Sequence, residues 1–147
     1  MFISKTAEYA IRAMAAIATL PEGKRVRASD LGRATGIPNP YLSKILRRLV
    51  LADLLDSQKG QGGGFSLARP AGEILFIEIL NAVDALPTDG RCAFGWGSCD
   101  ELMPCPLHSA WSRVSRHIVD WANHTNLAEV AAAAQSDQRV QLFPELT

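Results

Sequence analysis

The chain has 147 residues, 48% of them hydrophobic, which is enough to bury one core and excludes a disordered chain. The net charge of zero hides a division, because residues 1–70 carry eleven basic and five acidic side chains (+6) and the remainder carries −6. A basic amino-terminal half favours a polyanion as partner, with a solvated basic face as the alternative. No stretch reaches the roughly 20 uncharged apolar residues of a membrane span, so we expect a cytoplasmic protein without a membrane partner.

The spacing of apolar residues predicts three helices in the first 51 positions. A stripe at intervals of three and four predicts the first over residues 4–19, and Pro21-Glu22-Gly23 ends it. A short helix fits 28–35, with Gly36 suited to a left-handed cap, and a third fits 39–51. Because only Gly36-Ile37-Pro38 separates the second helix from the third, the pair is predicted to form a helix-turn-helix.

The third helix has two different faces. Its apolar residues recur at intervals of three and four and are expected to face the core: Leu42, Ile45, Leu46 and Leu49. Polar and basic side chains then cover the exposed face: Asn39, Tyr41, Ser43, Lys44, Arg47 and Arg48. Such a helix suits the major groove, where end residues reach base edges and cations neutralise phosphates. We add Lys5 and Arg27 to the expected DNA contacts.

A glycine-rich hairpin is predicted to follow. Leu54 to Gln58 and Phe65 to Ala68 alternate as two short strands, and the glycine-rich run 60–64 permits a tight turn between them. With Lys59 at its shoulder, this hairpin is a candidate DNA-binding wing. A nucleotide-binding loop is the less favoured interpretation, because no Lys-Ser/Thr pair closes the run and no helix follows it.

The second half combines a helix, a long loop and a heptad stripe. Residues 74–83 predict a helix docked on the wing domain, and 86–105 form a glycine- and proline-punctuated loop of the length that usually serves a function. Beyond it Leu107, Trp111, Val114, Ile118 and Trp121 follow heptad spacing. This stripe predicts pairing with the same helix of a second subunit, the alternative being packing on its own amino-terminal domain. A short helix over 127–134 and a flexible tail from Gln135 complete the chain.

All three cysteines lie in or beside this loop, in the pattern C-x6-C-x5-C-x2-H formed by Cys92, Cys99, Cys105 and His108. An odd number of cysteines and the absence of an export signal argue against a disulfide framework. Thiolate and imidazole are ligands of zinc and of iron-sulfur centres, and four donors suit either. Because no two cysteines lie two to four residues apart, as they do in structural zinc sites, the spacing favours a cluster over zinc, with free thiols as a third alternative.

Five segments of the chain are similar to segments of one known protein family: SKTAEYAIRAMAAIA, IPNPYLSKILRRL, KGQGGGFSLARP, ILNAVDA and the cysteine-histidine pattern. In this order, over residues 1–133, they resemble the Rrf family of bacterial transcription regulators, of the IscR, NsrR and RirA type. The resemblance implies a mostly α protein with a small β-hairpin wing, in which a winged helix-turn-helix DNA-binding domain is joined to a long carboxy-terminal dimerisation helix. It also implies a homodimer that binds a palindromic double-stranded DNA operator. An enzyme or electron carrier is the competing class, but we expect no enzymatic activity and no small-molecule substrate, because the sequence contains no flavin or nicotinamide motif and no nucleophile with a paired base.

The resemblance also implies site residues. Cys92, Cys99 and Cys105 match the three cysteine ligands of the family, Tyr41, Ser43 and Lys44 fall on the recognition helix, and Lys59 and Gln61 fall on the wing. His108 stands where IscR-like members complete a [2Fe-2S] site, and Glu8 of the partner subunit stands where NsrR-like members supply a carboxylate. We expect His108, one helical turn beyond Cys105, and therefore [2Fe-2S] in preference to [4Fe-4S], although the first gap of six departs from the family's five.

The predicted domains are a winged helix-turn-helix over 1–84, a cluster-binding loop over 85–105, a dimerisation helix with a short last helix over 106–134, and a tail over 135–147. The implied function is a repressor whose operator affinity depends on an iron-sulfur cluster that senses iron, redox state or nitric oxide. The alternative function is a zinc-stapled winged-helix adaptor or regulator without cluster chemistry.

Overall fold

The described part of the molecule contains six α-helices and one β-hairpin. The computed structural model describes residues 3–86 and 92–137; positions 87–91 of the predicted loop and the predicted tail beyond 137 lie outside the described residues. The elements are α1 (Lys5–Ala18), α2 (Ala28–Thr35), α3 (Asn39–Leu51), β1 (Leu55–Gln58), β2 (Gly64–Leu67), a 3-10 helix (Ala71–Glu73), α4 (Phe76–Ala82), α5 (His108–His124) and α6 (Leu127–Ser136). The predicted fold class is confirmed. None of the helices in the described ranges is both long and apolar enough to cross a bilayer.

Helices α1, α2 and α3 form the predicted helix-turn-helix core. The Ser4 hydroxyl caps α1 by accepting the Ala7 N–H at 3.1 Å, and Gly36 ends α2 with φ 69°, a conformation that favours glycine. The bounds of α2 and α3 agree with the prediction, and α1 is one residue shorter at each end. The leucine stripe of α3 is buried as predicted, and each such side chain contributes about 1.5–3 kcal/mol.

The wing is anchored to the segment before α2. Strands β1 and β2 pair antiparallel, with Leu55 opposite Leu67, and lie within one residue of the predicted bounds. Phe65 exchanges two backbone hydrogen bonds with Val26, at 2.8 and 3.0 Å. Gly64 has φ 132°, and a Cβ there would lie 2.5 Å from the Val26 carbonyl oxygen, so this close approach requires glycine.

The last helix, α6, returns to the amino-terminal domain. Leu127 and Ala131 are buried, and α6 packs against α1 and the 3-10 helix. The Leu127 N–H donates to the Ile74 carbonyl oxygen at 2.9 Å, which explains why α4 begins at Phe76 and not at residue 74. We predicted this helix over 127–134, grouped with the dimerisation helix, and a tail from Gln135. In the structure α6 extends to Ser136, and its Leu127 belongs to the hydrophobic core.

Candidate metal centre and nucleic-acid interface

Tight turns fold the cysteine loop, although it contains no helix or strand over residues 92–105. The Cys92 N–H donates to the Gly97 carbonyl oxygen, and the Gly95 N–H donates to the Cys92 carbonyl oxygen, both at 3.0 Å. Gly95 and Gly97 have φ of 80° and 90°, which glycine adopts without strain. The Asp100 carboxylate then accepts two backbone N–H groups at 2.8 Å, forming the next turn. These turns return the chain so that the cysteines face one another.

The four predicted ligands come together. The Sγ atoms of Cys92, Cys99 and Cys105 all lie within 4.8 Å of one another. Cys92 Sγ is 3.8 Å from Cys105 Sγ, and Cys99 Sγ is 3.0 Å from His108 Nδ1. His108 is the first residue of α5, and its N–H donates to the Cys105 carbonyl oxygen at 3.0 Å. The donor set therefore lies at the start of the helix that carries the heptad stripe.

The thiols differ in how readily they ionise. Backbone N–H groups of Trp96 and Phe94 point at Cys92 Sγ and hold the pKa of this thiol below its ordinary value, against a smaller opposing effect of burial. Burial raises the pKa of Cys105, and the neighbouring thiols Cys99 and Cys92 raise it further, against a hydrogen bond from the Leu107 N–H. Of these two thiols, Cys92 therefore ionises more readily than Cys105, and metal binding requires the thiolate form of each.

The chemistry and spacing of these donors fit a thiophilic metal. Two thiolates bound at about 2.3 Å to one tetrahedral ion are about 3.8 Å apart, which is the separation of Cys92 Sγ and Cys105 Sγ. The side chains of Cys92, Cys99, Cys105 and His108 are half-buried beside Trp111, so a bound group would be partly shielded from solvent. The set can hold a metal ion or an iron-sulfur cluster.

The other candidate ligand, Glu8, is paired within its own helix. Its carboxylate lies 2.8 Å from Lys5 Nζ and also forms an ion pair with Arg12. The hydrogen bond from Lys5 lowers the pKa of Glu8, and the same contact raises the pKa of Lys5. Within one chain, the donor that accompanies the cysteines is therefore His108.

The exposed face of α3 carries the predicted DNA contacts. Asn39, Tyr41, Ser43, Lys44 and Arg47 are all exposed, opposite the buried leucines. The Tyr41 ring lies 6.1 Å from that of Tyr9 on α1, and the cations of Lys5 and Arg12 lie 5.8 and 5.7 Å from the Tyr9 ring centre. The exposed face at the start of α1 is therefore continuous with the exposed face of α3, and together they form one surface that carries Lys5, Arg12 and Lys44.

Sequence reasoning missed Tyr9 and Arg12 in this surface. Arg12 also donates to the Thr35 carbonyl oxygen at 3.3 Å, at the carboxy-terminal end of α2, where a cation is favourable. The signal was available, because Lys5, Tyr9 and Arg12 follow one another at intervals of four and three and therefore share a helix face.

The two adjacent arginines of α3 have different surroundings. Both side chains are exposed, and the phosphate contact predicted for each stays a prediction. Arg48 in addition directs Nη1 to the Val83 carbonyl oxygen at 3.0 Å and to Asp84 Oδ2 at 3.1 Å. Arg48 therefore connects α3 to the end of α4.

The wing presents Lys59 and Gln61 to solvent, and Arg27 is exposed at the start of α2. Arg25, which sequence reasoning did not select, directs its guanidinium towards the carbonyl oxygens of Gly64 and Asp56, at 3.4 and 3.5 Å. Arg25 thus contacts both strands of the wing, β1 through Asp56 and β2 through Gly64.

Helix α5 exposes most of its apolar stripe. Among its residues only Ser115 and Ala122 are buried, whereas Val114 and Trp121 are each 41% exposed. Trp121 also packs edge-to-face on Phe76 of its own chain, with ring centres 5.2 Å apart. The stripe is therefore fixed to the amino-terminal domain at Trp121, Trp111 packs edge-to-face on Phe94 of the cysteine loop, and Val114 between them is exposed.

This combination of helix-turn-helix, hairpin wing and projecting helix defines a winged-helix DNA-binding protein. The chain belongs to the Rrf2 family, described as iron-dependent transcriptional regulators, whose model matches residues 3–133. It is 35% identical over 143 residues to the HTH-type transcriptional regulator named Rv1287 of Mycobacterium tuberculosis, covering 97% of this chain and 88% of that protein. It is 32% identical over 130 residues to the HTH-type transcriptional regulator IscR of Cronobacter sakazakii, covering 88% of this chain and 80% of that one.

Solved structures share the fold. T. potens IscR matches with a TM-score of 0.71 at 24% identity, covering 92% of this chain and 90% of that one. The oxidised form of Staphylococcus aureus CymR matches with a TM-score of 0.69 at 23% identity, covering 89% and 96%. The family match, and not these structures, makes the protein a transcription regulator of a non-enzymatic family, with DNA as its partner.

Proposed function

We propose that this protein is a homodimeric repressor whose affinity for its operator depends on an iron-sulfur cluster held by Cys92, Cys99, Cys105 and His108. The observation that carries the proposal is the convergence of these four donors at the first turn of α5, with all three sulfurs within 4.8 Å. Such a cluster would make DNA binding sensitive to oxygen, to nitric oxide or to the iron supply. Oxygen and nitric oxide react with the iron and sulfide of a cluster, and its assembly requires iron.

His108 is the proposed fourth ligand. Its Nδ1 lies 3.0 Å from Cys99 Sγ, whereas Glu8 is paired with Lys5 and Arg12. Three thiolates with one imidazole favour [2Fe-2S] over [4Fe-4S] here, because the family resemblance associates the histidine with the smaller cluster. The carboxylate of Glu8 remains the alternative, supplied across a dimer.

The exposed stripe of α5 supports the homodimer. A 17-residue helix with two small buried residues buries too little apolar surface to be stable as a projecting arm. A second copy of the same helix can cover such a stripe, because in a two-fold interface the same apolar patch of each subunit packs against the other. Two recognition helices would then meet half-sites about 34 Å apart, so a palindromic operator follows from the symmetry.

The ligand loop is placed to affect that spacing. His108 belongs to both the donor set and α5, so the chain around the donors and the proposed dimer helix are one continuous segment. A shift of a few ångströms between the subunits misaligns one recognition helix with its half-site. Operator affinity therefore depends on whether the four donors are held together.

Anaerobic purification followed by counts of iron and acid-labile sulfide tests the proposal. A cluster protein is coloured and absorbs in the visible range, and two irons with two sulfides per chain indicate [2Fe-2S]. The separation of Cys92 Sγ and Cys105 Sγ also fits a single zinc ion, which favours the zinc-stapled regulator as the second candidate. A colourless protein with one zinc per chain would establish that candidate.

A further inference from the structure

Arg48 joins the recognition helix to the last turn of α4. Its Nη1 donates to the Val83 carbonyl oxygen at 3.0 Å and to Asp84 Oδ2 at 3.1 Å. The Val83 carbonyl oxygen at the end of the helix carries partial negative charge, and the Asp84 carboxylate carries a full one, so both acceptors attract the guanidinium cation. Asp84 has φ 53°, a left-handed conformation that turns the chain away from α4 at this point.

The other end of α4 is held by α5. Phe76 packs edge-to-face on Trp121, with ring centres 5.2 Å apart, and its N–H donates to the Thr125 carbonyl oxygen at 3.0 Å. Helix α4 has only seven residues, or about 10 Å of length at 1.5 Å per residue. The contact with Trp121 and the turn at Val83 therefore lie at opposite ends of one short helix.

We propose that Arg48 is a positioning residue that couples α5 to the recognition helix through α4. Helix α5 runs from His108 to beyond Trp121, Trp121 contacts Phe76, helix α4 runs from Phe76 to the turn at Val83, and Arg48 contacts that turn. The inference rests on the proposed function, because it describes how the state of the cysteine loop reaches DNA. It also separates Arg48 from Arg47, which the sequence alone treats as equivalent phosphate contacts.

Asp84→Asn isolates this coupling. Asparagine adopts the left-handed conformation readily, so the backbone is retained while the charge that holds Arg48 is removed. The matched control is Asp30→Asn, which removes an exposed acid of the helix-turn-helix paired with Arg33 at 3.4 Å but unconnected with α4.

The test measures the affinity of each full-length protein, cluster-loaded and cluster-free at one salt concentration, for a duplex selected from a random library with the wild-type protein. In Asp84→Asn we expect the ratio of the two affinities to shrink by about three-fold, the effect of one exposed ion pair, while Asp30→Asn keeps the wild-type ratio. If the acid acts only by repelling DNA, its loss strengthens both forms alike and leaves the ratio unchanged, which would overturn the inference.

A second readout does not involve DNA. Hydrogen exchange of the α3 amides should differ between the loaded and cluster-free wild-type protein, and this difference should be lost in Arg48→Gln and retained in Arg48→Lys, which keeps a positive charge beside Asp84. An unchanged difference in Arg48→Gln would refute the coupling. Equal DNA binding by both wild-type forms would instead refute the proposed function itself.

Discussion

Cys99 Sγ lies 3.0 Å from Nδ1 of His108, nine positions further along the chain. This contact attaches the middle of the cysteine loop to the first residue of α5. The donor set and the proposed dimer helix therefore share a residue.

Replacing His108 tests the fourth ligand. We expect His108→Ala to lower the iron content and visible absorbance of anaerobically purified protein, because the site loses one of four donors, and His108→Cys to retain both. Glu8→Ala is the matched comparison and should keep wild-type iron. The opposite pattern, with iron lost from Glu8→Ala and kept in His108→Ala, would assign ligation to the carboxylate.

A charge on the α5 stripe should dissociate the dimer. Val114→Glu places a carboxylate in the proposed apolar interface, at a cost of at least about 2 kcal/mol, or roughly thirty-fold in the dimer dissociation constant. Asn123→Glu adds the same charge at another exposed position of α5 and should leave the dimer intact. Sedimentation velocity over a range of concentrations measures both, and equal behaviour of the two variants would place the interface elsewhere.

Arg47 should contribute to DNA affinity irrespective of sequence. Arg47→Gln removes one phosphate contact, so affinity should fall alike for selected and random duplexes and the slope of log K against log salt should decrease by about 0.9. Arg116→Gln removes an exposed cation of α5 and serves as the control. A loss confined to the selected duplex would show that Arg47 reads bases.

Acid should weaken the start of α4 through Glu78. Burial raises the pKa of this carboxyl, but hydrogen bonds from the Leu75 N–H at 3.0 Å and from Arg69 at 2.7 Å outweigh it, so the pKa lies below the ordinary 4.5. The resulting stability is fully present above pH 4.5 and is lost as the pH falls through the lower folded-state pKa.

Urea unfolding of the metal-free protein measures this effect. The free energy of unfolding should fall more steeply in the wild type than in Glu78→Gln as the pH decreases below about 4.5, because only the wild-type group takes up this proton. Parallel pH profiles would show that the contacts of the Glu78 carboxylate with the Leu75 N–H and Arg69 do not stabilise the fold.

The amino-terminal fold was predictable because its signals are local. The leucine stripe of α3 and the glycine after α2 fixed both helices to the residue. The place of α6 was not predictable, since LAEVAAAAQS is apolar on nearly all sides and no single face of it indicates a partner. Its position depends on the backbone hydrogen bond between Leu127 and Ile74. These residues are 53 positions apart, and the spacing of apolar residues along the chain cannot predict a contact between them.

At the site, chemistry made the donor set predictable, because thiolates and imidazole in one segment have few other uses. The contrast between Arg47 and Arg48 was not predictable. Neighbouring residues of one type look equivalent in sequence, and the acceptor that distinguishes them, Asp84, is 36 positions from Arg48.

The most direct test of the central claim compares the operator affinity of the cluster-loaded and cluster-free protein, prepared anaerobically and measured at one salt concentration. The account predicts a difference of about five-fold or more, the usual size of coupling between two sites. Equal affinity of the two forms, or an anaerobic preparation that contains no iron and binds the duplex as tightly as any loaded sample, would contradict it.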